Sequence, residues 1–369
     1  MTIFLFILVL VVLIVVHEFG HFVVAKMSGM RVDEFGVGYP PRIIAFKKGE
    51  TEYSLNWIPF GGFVRIYGED EGSDEMSDTK DSHRAFARRP KILQALTLIA
   101  GIVMNLFFAY VLIAVVLFMG VPRAITPEEA LLAPDSAVVI GSVLPGAPAD
   151  LAGFKPGDAI VKIEGEGATF ESASSDAFTA FIAQQEAGEE LTVTVLRNKE
   201  EMTFAVAPTL GALSGEPERA ALGISVGTVG TVPVSLLQAP IEGFRLTVEL
   251  TRQTAVALAL FFGSVFTLSA DLAQVSGPVG IAGAVGTAYD QGLATLLTIT
   301  AIISINLALI NLLPIPALDG GRLLFVIIEA ITRRPIKPVF ARTINALGFG
   351  FLILLMVVIT ASDIFKAVG

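Results

Sequence analysis

Near the N-terminus, the run Val15-Val16-His17-Glu18-Phe19-Gly20-His21 holds the side chains best suited to chemistry. On a helix, His17 and His21 leave the same face one turn apart. That spacing suits two nitrogen ligands on one zinc ion, with Glu18 placed to act on a zinc-bound water. The competing reading is two packed core histidines beside a chance acid. Against it, the segment from Thr2 to Ala25 has no Lys, Arg or Asp, and Glu18 is its only acid. A carboxylate inside a lipid-spanning helix is unfavourable by about 2.5–3.5 kcal/mol on insertion scales, so such groups are usually partnered and functional.

The elements that must position these groups are apolar. Of 369 residues, 53% are hydrophobic and only 16% charged, with mean hydropathy +0.72. That composition predicts a polytopic membrane protein carrying a soluble portion. Cysteine is absent, which excludes disulfides and thiolate ligands. The formal charge of −10 argues against nucleic acid as a partner. The first Lys is Lys26, so the N-terminus lacks a basic leader and reads as a retained helix.

Four spans are expected. The division is 1–25 for the first helix, 26–91 for a cytoplasmic loop, 92–120 for the second helix and 121–235 for a soluble domain. Then follow 236–292 for an interfacial amphipathic helix and connections, 293–320 for the third helix, 321–346 for a cytoplasmic connection and 347–369 for the fourth helix and tail. Within the first loop, Glu52 to Ile58 alternates like a strand, punctuated by Gly36, Gly38, Pro40-Pro41 and Gly61-Gly62. A small β-sheet is expected there, either an ordinary hairpin or an exposed edge on which an extended peptide adds a strand. Seven acids between Glu69 and Asp81 read as a solvated loop. The apolar run 255–270 is short for a span.

In the soluble part, Val138 to Val143 reads as a strand and Pro145 to Gly153 as a turn and short helix. Lys155-Pro156-Gly157-Asp158 is a tight turn into the strand 159–163, followed by a helix over 173–185 and a hairpin over 191–207. The Ala-Pro-Ala…Ala-Gly…Pro-Gly-Asp…Ile run resembles a PDZ domain of bacterial envelope proteases. The resemblance implies a groove that takes a peptide end by strand addition, or a domain that only excludes bulky substrates.

Charge sets the orientation. Residues 24–91 hold 11 Lys and Arg, 120–292 hold 8, and the short stretch 320–346 holds 5. The first and third loops are therefore expected inside, with the termini and the PDZ-like domain outside. His17 and His21 then lie toward the cytoplasmic side, where the third span also ends. Zinc in a hydrolytic site usually takes three protein ligands. Asp319 is the only acid beside an apolar span on that side, which makes it the candidate third ligand; the competing reading is an acid at a helix N-cap.

Together, His17-Glu18-Phe19-Gly20-His21, the Asn-x-x-Pro-x-Pro-x-Leu-Asp-Gly run from Asn311 to Gly320, and Ser276 to Ile281 resemble the site-2 protease family of intramembrane zinc proteases. The likeness is nearest its bacterial regulator-of-sigma-E branch. It implies a polytopic α-helical membrane protein with four transmembrane helices, a membrane-associated β-region and an extracytoplasmic PDZ domain of α+β type. Members often carry two tandem PDZ domains; this sequence has room for one. The resemblance also implies Zn2+ held by His17, His21 and Asp319, with Glu18 as catalytic acid/base. Asn306 and Asn311 would hold substrate backbone, or else act as ordinary interhelical hydrogen-bonders. The implied substrate is a single-pass membrane protein, an anti-sigma factor or a remnant signal peptide, met in the lipid of a bacterial inner membrane. The alternative is a non-catalytic adaptor that tethers partners through its PDZ domain.

Overall fold

An unbroken apolar sequence makes Thr2–Met27 one helix, α1, whose buried residues Val9, Leu13, His17, Gly20, His21 and Ala25 form a single stripe. The computed structural model describes the whole chain except 70–80, 121–122, 131–132, 134, 166–167, 172–173, 198–199, 212–218, 232–233, 268–275 and 369. Most of the acidic loop therefore lies outside the described residues. The chain divides into two units, Met1–Val116 with Leu237–Gly369, and Leu117–Leu236.

In the first unit, α1 is followed by two long strands, β1 (Val32–Lys48) and β2 (Thr51–Ile66). Each bends and pairs twice. Residues 32–37 of β1 lie between 62–66 and 52–55 of β2, while 42–48 pairs with 51–56 on the far side. The bend falls at Gly38, whose φ of +78° only glycine adopts freely, and at Pro40-Pro41, which lack ladder donors. Asn56 seals it by donating to the carbonyls of Val37 and Gly38 at 3.4 and 3.1 Å. The expected small sheet is thus present, and it is more than an ordinary hairpin, because each strand pairs twice.

The tight turn between the strands is tied down. The Glu50 carboxylate accepts from Arg84 at 2.7 and 2.8 Å and from Lys26, at the end of α1, at 2.7 Å. Those bonds, Arg84's first, hold its carboxyl down at about 2.

Helix α2 (Lys91–Phe118) leads to the second unit. There, β3 (Arg123–Ala124), α3 (Pro127–Ala130), β4 (Ala137–Val143), α4 (Pro148–Ala152), β5 (Ala159–Gly165) and β6 (Ala168–Phe170) precede α5 (Ser175–Ala183). Strands β7 (Leu191–Arg197), β8 (Glu200–Val206) and β9 (Ile224–Gly230) complete an antiparallel sheet of order β3-β9-β4-β5-β7-β8, with β6 on β5. Its core is Val138, Ile140, Ile160, Ile163, Leu191, Val193 and Val195 against Phe178 and Ile182 of α5. The expected strands and helices are all present. The alternation in Ile224–Gly230 is interrupted by glycine, and that hid the strand that pairs with β4 along most of its length.

Back in the first unit come α6 (Ala239–Phe266), α7 (Pro278–Gln291), α8 (Leu293–Leu312), α9 (Asp319–Thr332) and α10 (Pro338–Val368). Among the described residues, four helices are long and apolar enough to span a membrane: Thr2–Met27, Lys91–Phe118, Leu293–Leu312 and Pro338–Phe365. The protein is therefore polytopic, with the expected number of spans. Several boundaries differ, and the third helix ends at Leu312 rather than 320, with α9 occupying the start of the expected connection. The interfacial helix and the short apolar run merge into α6, because Gln253-Thr254-Ala255 contains no breaker. The last helix begins at Pro338 rather than 347, since proline suits a first helical turn. The Ser276 to Ile281 motif becomes the start of α7, where the Asp363 carboxylate accepts the Gly280 N–H at 2.8 Å.

Within the second unit, the Asp158 carboxylate is 1% exposed and accepts two bonds from Arg197, at 2.6 and 2.7 Å. Burial raises its pKa, but Arg197 and the Lys155 N–H lower it further, so the net shift is downward. Asp158→Ala is expected to destabilise this unit by about 3 kcal/mol, by stranding Arg197. In the wild type the contribution is present at neutral pH and is lost as the pH falls below about 4. Hydrogen exchange of β5 and β7 in the intact chain checks both, and unchanged protection would contradict them.

Candidate metal centre

Helices α1 and α2 cross where neither has a side chain. A Cβ on Gly20 would meet the Ala100 carbonyl of α2. One on Gly101 would lie 2.5 Å from His21 Nε2 and 2.8 Å from His17 Cε1. Small residues let two membrane helices approach this closely. Both imidazoles therefore lie close against α2, edge to face with one another, with centroids 4.7 Å apart.

The third group arrives from the other end of the chain. After α8 the backbone leaves the helix at Leu313, passes Pro314 and Pro316, and re-enters helix at Asp319, the first residue of α9. Gly320 and Gly321 permit this, because a Cβ on either would strike the carbonyls of Leu312, Leu313 or Ile315. The loop thus folds back over the start of α9. Asp319 Oδ2 lies 2.8 Å from His17 Nε2 and 3.3 Å from His21 Nε2, and the two nitrogens are 3.1 Å apart. Among the described residues these three form a group whose ligand atoms all lie within 4.8 Å of one another.

The surrounding bonds test whether a cation fits. His21 Nδ1–H donates to the Thr97 carbonyl at 2.7 Å, which leaves Nε2 with a free lone pair. His17 Nδ1 faces the Asn105 amide at 3.2 Å, and Asn105 Oδ1 is buried with no hydrogen-bond partner. Turning that amide by 180° sets Oδ1 against Nδ1–H and frees His17 Nε2 in the same way. Two imidazole nitrogens and one carboxylate then converge, a donor set that suits zinc and leaves a position open.

Glu18 is beside this group but outside it. It borders a cavity of about 520 Å³ with His21, Asp319 and the strand residues Gly62–Ile66. Gly62–Ile66 pairs with β1 on one side, and among the described residues no strand covers the other. Asn311 joins His17, Glu18 and Asp319 around an adjoining cavity of about 310 Å³. Asn306 borders neither cavity, and its amide donates to the Ile302 carbonyl of its own helix at 3.0 Å. The sequence reading passed over Thr97, Gly101 and Asn105. Asn105 carried a usable signal, as a polar amide in the middle of an apolar span, one turn beyond a glycine.

Comparison with known proteins bears on the family. Residues 5–355 match the family model described as peptidase family M50. A Clostridium perfringens protein is 37% identical over 352 residues, covering 95% of each chain. The zinc metalloprotease RasP of Oceanobacillus iheyensis is 31% identical over 98% of each chain. The regulator of sigma-W protease RasP of Bacillus subtilis is 28% identical, again over 98% of each.

Gly101→Val is expected to push both imidazoles out of register and to cost the purified protein its zinc. Metal analysis checks this, and stoichiometric zinc in the variant would show that the contact with α2 does not set the rings.

Proposed function

The chain belongs to peptidase family M50, the site-2 type of intramembrane zinc metalloprotease, and on that premise we propose that His17, His21 and Asp319 hold its zinc while Glu18 moves the proton. The observation that carries this reading is the convergence of three ligand atoms from opposite ends of the chain beside Glu18 and an unpaired strand edge.

Zinc bound there would polarise a peptide carbonyl and acidify water. The remaining work falls to the chain's own groups. Glu18 takes a proton during attack and returns it to the leaving nitrogen. Gly62–Ile66 receives a stretch of substrate as an added strand, which matters because a helical substrate hides its carbonyls in its own hydrogen bonds. Asn311 is placed to donate to a substrate carbonyl, and the surrounding spans exclude bulk water. Asn306 is a less suitable donor, since its amide is already engaged.

The substrate class we infer is a transmembrane segment of another membrane protein, an anti-sigma factor or a remnant signal peptide. The relative named a regulator of sigma-W protease supports the first of these. We further infer that Leu117–Leu236 is a single PDZ-like domain outside the cytoplasm, with both termini on that side and the metal centre near the inner face. The order of strands and helices in that unit and the excess of Lys and Arg in the other loops support it.

Glu18→Gln is expected to retain zinc and to lose cleavage of a membrane-helix substrate by a factor of about 10²–10⁴. Wild-type proteolysis in the purified variant would remove Glu18 from the mechanism. Because the chain has no cysteine, topology can be read with single additions. Ser142→Cys is expected to react with an impermeant maleimide in intact cells, and Arg333→Cys only after permeabilisation; the reverse pattern would invert the orientation.

A further inference from the structure

The loop that presents Asp319 is held from a helix that supplies none of the metal ligands. Ala317, two residues before Asp319, has φ +77°, the left-handed region that a residue with a Cβ enters only when its surroundings require it. Its N–H donates to Asn345 Oδ1 of α10 at 3.3 Å. Three residues along α10, and so on the same face, Gly348 lies against Pro316. A Cβ on Gly348 would sit 2.5 Å from both Pro316 Cβ and the Pro316 carbonyl oxygen. From the other side, a Cβ on Gly321 of α9 would lie 2.9 Å from Pro316 Cα. Pro316 and Ala317 are therefore gripped between two helix backbones, and the left-handed turn at Ala317 sets the direction in which the chain reaches Asp319. Asn345 also borders the cavity that holds Glu18 and Asp319, so the grip lies at the site.

We propose that Asn345 and Gly348 are positioning residues for the metal centre: α10 holds Ala317 in its left-handed turn and thereby aims the Asp319 carboxylate at the two imidazoles. The inference rests on the reading of Asp319 as a zinc ligand. It explains how an alanine is held at a position whose backbone favours glycine, since the bond to Asn345 offsets the strain. It also gives α10 a role beyond crossing the membrane.

The test is zinc affinity of the full-length protein in detergent, measured by competition with a chromogenic chelator, with size exclusion to report folding. Asn345→Ala is expected to weaken zinc binding about tenfold, the effect of losing a group that orients a ligand. Adding Ala317→Gly to that variant is expected to bring affinity back to within about threefold of wild type, because glycine takes the turn without help. A residue needed only for helix packing would show no such rescue. Gly348→Ala attacks the same grip independently and is expected to weaken zinc as well. Wild-type affinity in both Asn345→Ala and Gly348→Ala, or no recovery with Ala317→Gly, overturns the proposal. Asp319→Ala separates the two levels: if it binds zinc like wild type, the ligand reading itself has failed; if it loses zinc while the α10 variants keep it, only the positioning role has failed.

Discussion

Polar atoms inside an apolar helix must find partners within the protein, and everything at this centre follows from how that demand is met. The contact that meets it is the crossing of α1 and α2 at Gly20 and Gly101, where the absence of two side chains lets both imidazoles reach the α2 backbone. His21 then finds the Thr97 carbonyl, His17 finds Asn105, and the remaining ring nitrogens point together at Asp319. A larger residue at either glycine would leave histidines in the membrane without bonds to orient them. In this setting glycine provides room rather than flexibility.

Around that fixed wall the other elements are secured at their ends. The β-sheet is pinned at its turn by Lys26, Glu50 and Arg84, so the far edge, Gly62–Ile66, runs past Glu18 at a set distance. Helix α9 is tied to the start of α2 by Lys91 and Glu329, 2.5 Å apart, and to the segment just after β2 by Arg322 and Glu69. Each pair is partly exposed and individually modest. Joined to one helix, at Arg322 one turn from Asp319 and at Glu329 nearly three turns from it, they resist rotation of that helix. These charges come from the segments rich in Lys and Arg, which therefore also brace the site.

Much of this was legible before any coordinates. Helical spacing in His17-Glu18-Phe19-Gly20-His21 pointed to paired ligands, and an isolated acid in an apolar span pointed to function. Apolar runs marked four spans, and turn chemistry at Pro156-Gly157 and Gly153 marked elements of the second unit. What escaped was whatever depended on a partner distant in sequence. β9 looked unremarkable until paired with β4, and Asn306 and Asn311 looked equivalent until one was found bonded to its own helix and the other facing Glu18.

Residue types and their local spacing were enough to state the chemistry, because two imidazoles one helical turn apart share a face in any α-helix, and because hydropathy acts on each segment alone. Local spacing could not say that Asp319 lies 2.8 Å from His17 across 302 residues of chain, that Asn105 and Thr97 orient the rings, or that α10 grips the loop before Asp319. Those facts arise where separate helices meet. They depend on which backbones can approach, which only the packed structure decides.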